Sequence, residues 1–164
     1  MQESQPNKSP LKAFAAAMLA GTFALILSAI ASAQSTAETE NAIEQAMAAL
    51  DAFMLAFNRR DAEAWAATLN YPHVRFASGN VTVWESAEEY AQTSAFERLP
   101  RTGWDHSHWL TRDVTLAAPG KVHIATVFQR FNADNEVIGT YQSLYIVTEV
   151  NGHWGTQARS SLAP

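Results

Sequence analysis

Apolar residues from Asn41 onward recur every three or four positions, at Ile43, Met47, Leu50, Met54 and Phe57. This spacing predicts an amphipathic α-helix. Asp61 is positioned to cap a second, shorter helix, in which Trp65 and Leu69 lie four residues apart. We expect Tyr71-Pro72 to end that helix, because the residue before a proline disfavours the helical conformation.

Beyond this proline the pattern alternates with a period of two. The runs at residues 73–76 and 81–84 flank a Gly-Asn turn and predict a β-hairpin. Ser86, followed by Glu89, forms a capping box that predicts a third helix extending to about Arg98.

Four long runs rich in Val, Ile, Thr and aromatic residues make up the rest of the chain. Turn residues separate them, and they predict antiparallel strands over residues 104–117, 121–131, 137–149 and 153–162. Helices at the front and strands behind predict an α+β domain, with the sheet folded over the helices.

The second of these long strands has apolar side chains on both faces. One face carries Val122, Ile124, Thr126, Phe128 and Arg130, and the other carries His123, Ala125, Val127, Gln129 and Phe131. A sheet that is apolar on both sides must be covered on both, by the helices on one side and a second subunit on the other. We therefore predict a homodimer that forms through the sheet face.

Residues 1–33 have the pattern of a secretory signal peptide. Lys8 and Lys12 precede an apolar, alanine-rich run over residues 13–30, and the small residues Ala31-Ser32-Ala33 follow it. This pattern predicts cleavage after the last of these alanines and a periplasmic or secreted protein. The run is about 18 residues long, so a retained membrane anchor is the alternative.

The small and polar residues 34–40 predict a flexible mature N-terminus, and residues 41–164 suffice for one domain. The chain has no cysteine, which excludes lipoproteins, disulfide scaffolds, thiol enzymes and Cys-ligated zinc sites. Its net charge is −5 and no basic cluster exceeds Arg59-Arg60. We therefore expect no nucleic-acid partner and no membrane binding after cleavage.

The run Trp104-Asp105-His106-Ser107-His108-Trp109 holds two of the five tryptophans and two of the five histidines. On a strand, Trp104, His106 and His108 would share one face. An indole and imidazoles together suit a small-molecule pocket. The alternative is a layer of buried aromatic rings with hydrogen-bonded histidines.

His106 is the stronger pocket candidate of the two histidines, and Trp104 is expected to accompany it. Its face continues through Leu110, Val114 and Leu116, which indicates that it points inward. A histidine on an apolar face needs a partner, which is either an internal side chain such as Tyr141 or Ser143, or a ligand.

His73 and Arg75 alternate along the hairpin strand and therefore project to the same side. A neutral imidazole can accept a substrate proton near pH 7, and a guanidinium can hold the resulting anion. The alternative is a structural histidine beside an arginine paired to a carboxylate.

Arg159 on the last strand can bring a cation to a pocket, or it can pair with Glu149. Tyr141 and Tyr145 share a face, so one can donate to a ligand while the other packs. No metal site is predicted, because the histidines match no ligand-spacing motif. No cofactor is expected either.

The element order resembles the nuclear transport factor 2-like superfamily, especially its bacterial SnoaL-like members. The local phrases that carry the resemblance are Leu69-Asn70-Tyr71-Pro72-His73-Val74-Arg75, Gly103-Trp104-Asp105-His106-Ser107, Ser143-Leu144-Tyr145, Trp154-Gly155 and Arg159-Ser160-Ser161. The resemblance implies a cone-shaped, curved antiparallel sheet packed on three N-terminal helices, a largely apolar pocket, and frequent dimerisation through the outer face.

Members of this superfamily include steroid isomerases, scytalone dehydratase, limonene epoxide hydrolase, polyketide cyclases and binding modules without chemistry. Where the isomerases and cyclases use a pocket aspartate as general base, the matching position here is His73. The first hypothesis is a protein that binds a small, mostly apolar molecule. The second is a cofactor-independent lyase, isomerase or cyclase that uses His73 or His106, and the third is an interaction module that uses the sheet face alone.

Overall fold

The structure is a computed structural model that describes residues 11–77 and 79–163, with side chains from residue 34 onward. Lys8 and the side chains of the predicted signal peptide lie outside the described residues, so that segment stays a prediction. The chain divides into two compact units, Met1–Ala37 and Glu38–Pro164. In the part of the chain that the structure describes, no helix is both long and apolar enough to cross a membrane.

Helix α1 spans Leu11–Asn58 and supplies the amphipathic stripe that the sequence predicts. Residues 34–40, expected to be a flexible segment, belong to this helix. The reason is that residues 34–58 contain no glycine or proline to interrupt helical geometry. Leu50 and Phe53 of this helix are buried in the core of the second unit.

Helix α2 spans Ala62–Ala67, and the Asp61 carboxylate accepts a hydrogen bond from the Ala64 N–H at 2.9 Å, as its predicted cap. The helix ends earlier than expected, because the Thr68 N–H and hydroxyl both donate to carbonyls of its last turn. Leu69 and Pro72, predicted to lie in and to end the helix, instead belong to strand β1.

Strand β1 spans Leu69–Ala77 and pairs with β2, Asn80–Trp84, as the predicted hairpin. The third predicted helix starts at the Ser86 cap but is broken into α3, Ala87–Ala91, α4, Ala95–Arg98, and a 3₁₀ turn over Leu99–Thr102. The break falls at Gln92-Thr93-Ser94, where threonine and serine have lower helix propensity than the alanine and glutamate of the flanking turns.

The four predicted long strands are all present. They are β3, His106–Ala118, β4, Lys121–Phe131, β5, Val137–Val150, and β6, His153–Ser161. The sheet order is β2-β1-β6-β5-β4-β3, and its pairs are antiparallel except β1 and β6, which run parallel. The α+β class with a curved sheet is confirmed. The β1–β2 hairpin and the four long strands, which the sequence predicts as separate groups, form one sheet through the parallel pair of β1 and β6.

One face of the sheet packs on the helices to form the core. On β4 the buried side chains are Val122, Ile124, Thr126, Phe128 and Arg130, the set that strand parity places on one face. The other face leaves large apolar side chains exposed, among them Leu110, Leu116, Leu144 and Leu162. That exposed face is the one predicted to meet a second subunit.

Candidate functional site

A cavity of about 640 Å³ lies between the inner face of the sheet and helices α1 to α4. Aromatic side chains form much of its wall, namely Phe53, Phe57, Trp65, Trp84, Tyr90 and Tyr145. They contact one another, with ring centroids of Phe53 and Trp65 5.5 Å apart and those of Trp65 and Tyr90 4.8 Å apart. The volume falls in the range of small-molecule sites, about 300–1,000 Å³.

The same cavity is lined by four arginines, Arg75, Arg98, Arg130 and Arg159. Arg75 on β1 and Arg159 on β6 are directly paired in the parallel register. Arg130 reaches the cavity from the buried face of β4. Among the described residues, no aspartate, glutamate or histidine lines this space.

The three arginines of the sheet have few protein partners. The Nε atoms of Arg75, Arg130 and Arg159 are buried and have no hydrogen-bond partner among the described residues. Arg159 donates from Nη1 to the Tyr145 hydroxyl at 3.2 Å. The Arg130 guanidinium lies over the Tyr141 ring, 4.9 Å from its centroid. Aromatic faces and a hydroxyl therefore stand where a carboxylate would ordinarily neutralise a buried arginine.

Burial is the main cause that lowers the pKa of Arg75 to about 10, and the neighbouring Arg159 guanidinium acts in the same direction. Burial also lowers the pKa of Arg130. The tyrosine pKa values shift the other way, since burial raises those of Tyr90 and Tyr145. At neutral pH the cavity is therefore lined by charged guanidinium groups and protonated hydroxyls.

His73 shares the inner face with Arg75 as predicted, but it does not line the cavity. It is 2% exposed and packs against the rings of Trp84 and Tyr90, at centroid distances of 5.8 and 5.4 Å. Its Nδ1 lies 3.0 Å from the carbonyl oxygen of Thr156 and must donate to it. Burial lowers the His73 pKa to about 4, so this imidazole is neutral at pH 7.

His106 points to the opposite face from the one predicted. Ser107 is buried and lines the cavity, whereas His106 stacks on Phe131 at an interplanar angle of 3° and lies 3.0 Å from the Asp105 carboxylate. The prediction is wrong because Leu110, Val114 and Leu116, whose apolar side chains indicate an inner face, are exposed. Register shifts between Trp109 and Thr111 and between Val114 and Leu116 also interrupt the alternation of side chains along β3.

Trp104 points inward as predicted, but it packs behind the cavity wall. It is 2% exposed, and its indole N–H donates to the Ser107 hydroxyl at 2.9 Å. Its ring lies 5.0 Å from that of Phe57, which does line the cavity. The Asn58 side chain holds this corner by bonding both the N–H and the carbonyl of Ser107. Strand alternation from Trp104 also predicts that Asp105, Ser107 and Trp109 face away from the pocket. That is wrong for Ser107 and for Trp109, whose ring packs against Phe128 and Tyr145 on the inner face.

Arg159 lines the cavity, and the alternative ion pair with Glu149 is wrong, because Glu149 accepts a hydrogen bond from the Gly152 N–H instead. Tyr145, rather than Tyr141, lines the cavity. Tyr141 packs beside it against Arg130. Whether any of these residues binds a ligand stays a prediction.

Sequence reasoning missed Arg130 as a site residue. The signal was present, because Arg130 lies on the same strand face as Val122 and Ile124, and a cation on an apolar face needs an explanation. Tyr90 and the aromatic residues of α1 carried no such signal, since an aromatic stripe on a helix is ordinarily core. Within the described residues, no group of three or more histidine or acidic side chains can hold a metal ion.

Comparison with known proteins identifies the architecture. The family model described as "NTF2-like protein (DUF6841)" matches residues 40–158. No curated protein matches the chain.

Solved structures share the fold at low sequence identity. An NTF2-like protein of unknown function from Shewanella oneidensis has 11% identity and a TM-score of 0.60, covering 74% of this chain and 98% of its own. A ketosteroid isomerase-like protein from Erwinia carotovora atroseptica has 23% identity and a TM-score of 0.55, covering 74% and 96%. An NTF2-like protein from Novosphingobium aromaticivorans has 13% identity and a TM-score of 0.60, covering 83% and 88%. At these identities the likeness establishes the fold alone.

Proposed function

Because the chain belongs to the NTF2-like protein family DUF6841, we propose that it uses the cavity of this fold to bind a small, mostly apolar molecule. The observation that carries this proposal is a cavity of about 640 Å³ walled by aromatic side chains. A ligand in this space would bury apolar surface of the rings. The side chains would lose little conformational entropy, because the rings already pack on one another.

The rival function is a cofactor-independent lyase, isomerase or cyclase with a pocket histidine as acid or base. Neither His73 nor His106 lines the cavity, and His73 is already engaged with the Thr156 carbonyl. A general base must reach the proton it removes within about 2.6–3.2 Å or through one water. Binding without proton transfer is therefore the function that the geometry supports better.

The cellular setting of this function is a proposal too. The signal-peptide pattern of residues 1–33 supports a periplasmic or secreted protein. The exposed Leu110, Leu144 and Leu162 support a homodimer that covers the outer face of the sheet. Mass spectrometry of the secreted form, with cleavage expected after Ala33, and light scattering at micromolar concentration check these two points.

Thermal-shift screening with aromatic, terpenoid and polyketide-like compounds tests the binding function. A ligand present at about 100 times its Kd should stabilise the protein by about 2.7 kcal/mol. Ala95 lines the cavity, so Ala95→Phe should weaken every hit by filling the space. Ala64→Phe on the exposed side of α2 is the matched control and should leave the hits unchanged. A broad panel without stabilisation would favour an interaction module instead.

A further inference from the structure

Three guanidinium groups reach the floor of the cavity from three different strands. Arg75 on β1 and Arg159 on β6 are register partners, and Arg130 on β4 lies two strands beyond. Like charges oppose one another here, since Arg159 disfavours the charged form of both Arg75 and Arg130. Folding therefore works against electrostatic repulsion to assemble this cluster.

None of the three has an acidic partner within the part of the chain that the structure describes. Two arginines outside the cavity show the ordinary arrangement, with Arg60 3.3 Å from Asp105 and Arg112 2.6 Å from Asp51. Arg130 is the extreme case, because it is only 8% exposed and its Nε lacks a hydrogen-bond partner. Burying an arginine without a counter-ion costs free energy, because the guanidinium loses its hydration. A bound anion would offset that cost.

The unsatisfied groups around the cavity all require the same kind of partner. Besides the three guanidinium nitrogens, the indole N–H of Trp65 is buried without an acceptor, and Trp65 also lines the cavity. Arginine and tryptophan side chains only donate hydrogen bonds. A ligand that fits these walls must therefore bring acceptor atoms, and negative charge is favoured over neutral acceptors.

We propose that the ligand of this cavity is a small amphipathic carboxylate, held at its charged end by Arg75, Arg130 and Arg159 and along its apolar body by the aromatic wall. This assignment rests on the proposed binding function and adds the chemical class of the ligand. A carboxylate offers two oxygens that match the planar guanidinium fork. The hydrocarbon or aromatic remainder of the ligand would pack against Phe53 and Phe57.

The test compares acids with their uncharged amides, so that shape is constant and only the charge changes. Isothermal titration calorimetry is run on the purified protein with three pairs: 2-naphthoate and 2-naphthamide, 4-phenylbutyrate and 4-phenylbutyramide, and decanoate and decanamide. We expect an acid to bind at least tenfold more tightly than its amide. 2-Naphthyl phosphate and inorganic phosphate form a separate arm.

Variants assign the charge preference to the cluster. Arg130→Gln should reduce the affinity for the acid at least tenfold while the affinity for the amide changes less than threefold, and Arg159→Gln should do the same. The second variant carries the test if circular dichroism shows that the first is unfolded. Arg112→Gln is the matched control, because that arginine is paired with Asp51 outside the cavity, and it should bind like the unmodified protein.

The outcomes distinguish failure of the carboxylate assignment from failure of the proposed small-molecule binding. Amides that bind as tightly as acids, or an acid preference that survives both substitutions, would overturn the carboxylate assignment and leave small-molecule binding intact. Tighter binding of 2-naphthyl phosphate than of 2-naphthoate by tenfold or more would replace carboxylate with phosphate ester. If neither member of any pair binds, the binding function and the ligand class both fall.

Discussion

Acidification should destabilise this protein through His73, one of the two histidines that the sequence suggests as a catalytic acid or base. The imidazole is 2% exposed, and burial lowers its pKa from 6.5 to about 4, with the Arg159 and Arg75 guanidiniums acting in the same direction. The unfolded chain therefore binds a proton more readily than the folded chain. The stabilising contribution is complete above pH 6.5 and is lost as the pH falls toward 4.

The expected magnitude follows from these two pKa values. Each pKa unit corresponds to about 1.4 kcal/mol, so the difference between 6.5 and about 4 amounts to about 3 kcal/mol. About 2 kcal/mol of that loss should be reached by pH 5. This is a large fraction of the roughly 5–15 kcal/mol by which a domain is stable.

Urea unfolding followed by tryptophan fluorescence at pH 7.5, 6, 5 and 4 measures this effect. In His73→Asn the amide can still donate to the Thr156 carbonyl but does not titrate, so the variant should lose about 3 kcal/mol less between pH 7.5 and 4. His108→Asn, at an exposed imidazole, is the control and should follow the unmodified protein. Identical pH profiles for His73→Asn and the unmodified protein would refute a buried neutral His73.

Three further substitutions test the packing of the site. Arg130→Met should raise the free energy of unfolding by about 1–2 kcal/mol, since it removes an unpaired buried charge; Arg112→Met should not, and a loss of stability in urea for the first variant would show that the charge is compensated. Ser107→Ala should lower the free energy of unfolding by about 1–3 kcal/mol, because the Trp104 indole N–H loses its acceptor; an unchanged melting temperature would argue against that bond. Gly155→Ala should lower the free energy of unfolding by about 1–3 kcal/mol, because its Cβ would stand 2.8 Å from the backbone of β1, and calorimetry without such a loss would contradict the close approach.

The side chains that line the cavity favour the proposed binding function over its alternative, acid-base catalysis by a pocket histidine. Among the described residues, its lining combines aromatic rings, four arginines and neutral hydroxyl or amide side chains, and it includes no carboxylate or imidazole. The neighbour described as ketosteroid isomerase-like shares only the fold at 23% identity. The unpartnered Nε atoms of Arg75, Arg130 and Arg159 are the observation that supports the proposed anionic ligand.

Much of the fold was predictable from local pattern. The α1 stripe, the Asp61 and Ser86 caps, the hairpin and all four long strands were expected from residue period and turn chemistry. These signals act over neighbouring residues, where propensity and capping decide the structure. The third helix breaks at Thr93 and Ser94, two residues of low helix propensity.

The candidate site was predictable in part. The sequence by itself offered Arg75 and Arg159 as pocket candidates, and both line the cavity. It also grouped Arg130 with Val122 and Ile124, because strand alternation fixes which side chains share a side. It did not fix the direction of His106, since a strand's parity depends on where the strand begins and where register shifts fall. Only the tertiary structure decided that the three arginines meet without a carboxylate, because the parallel pairing of β1 with β6 brings together residues that lie far apart in the chain.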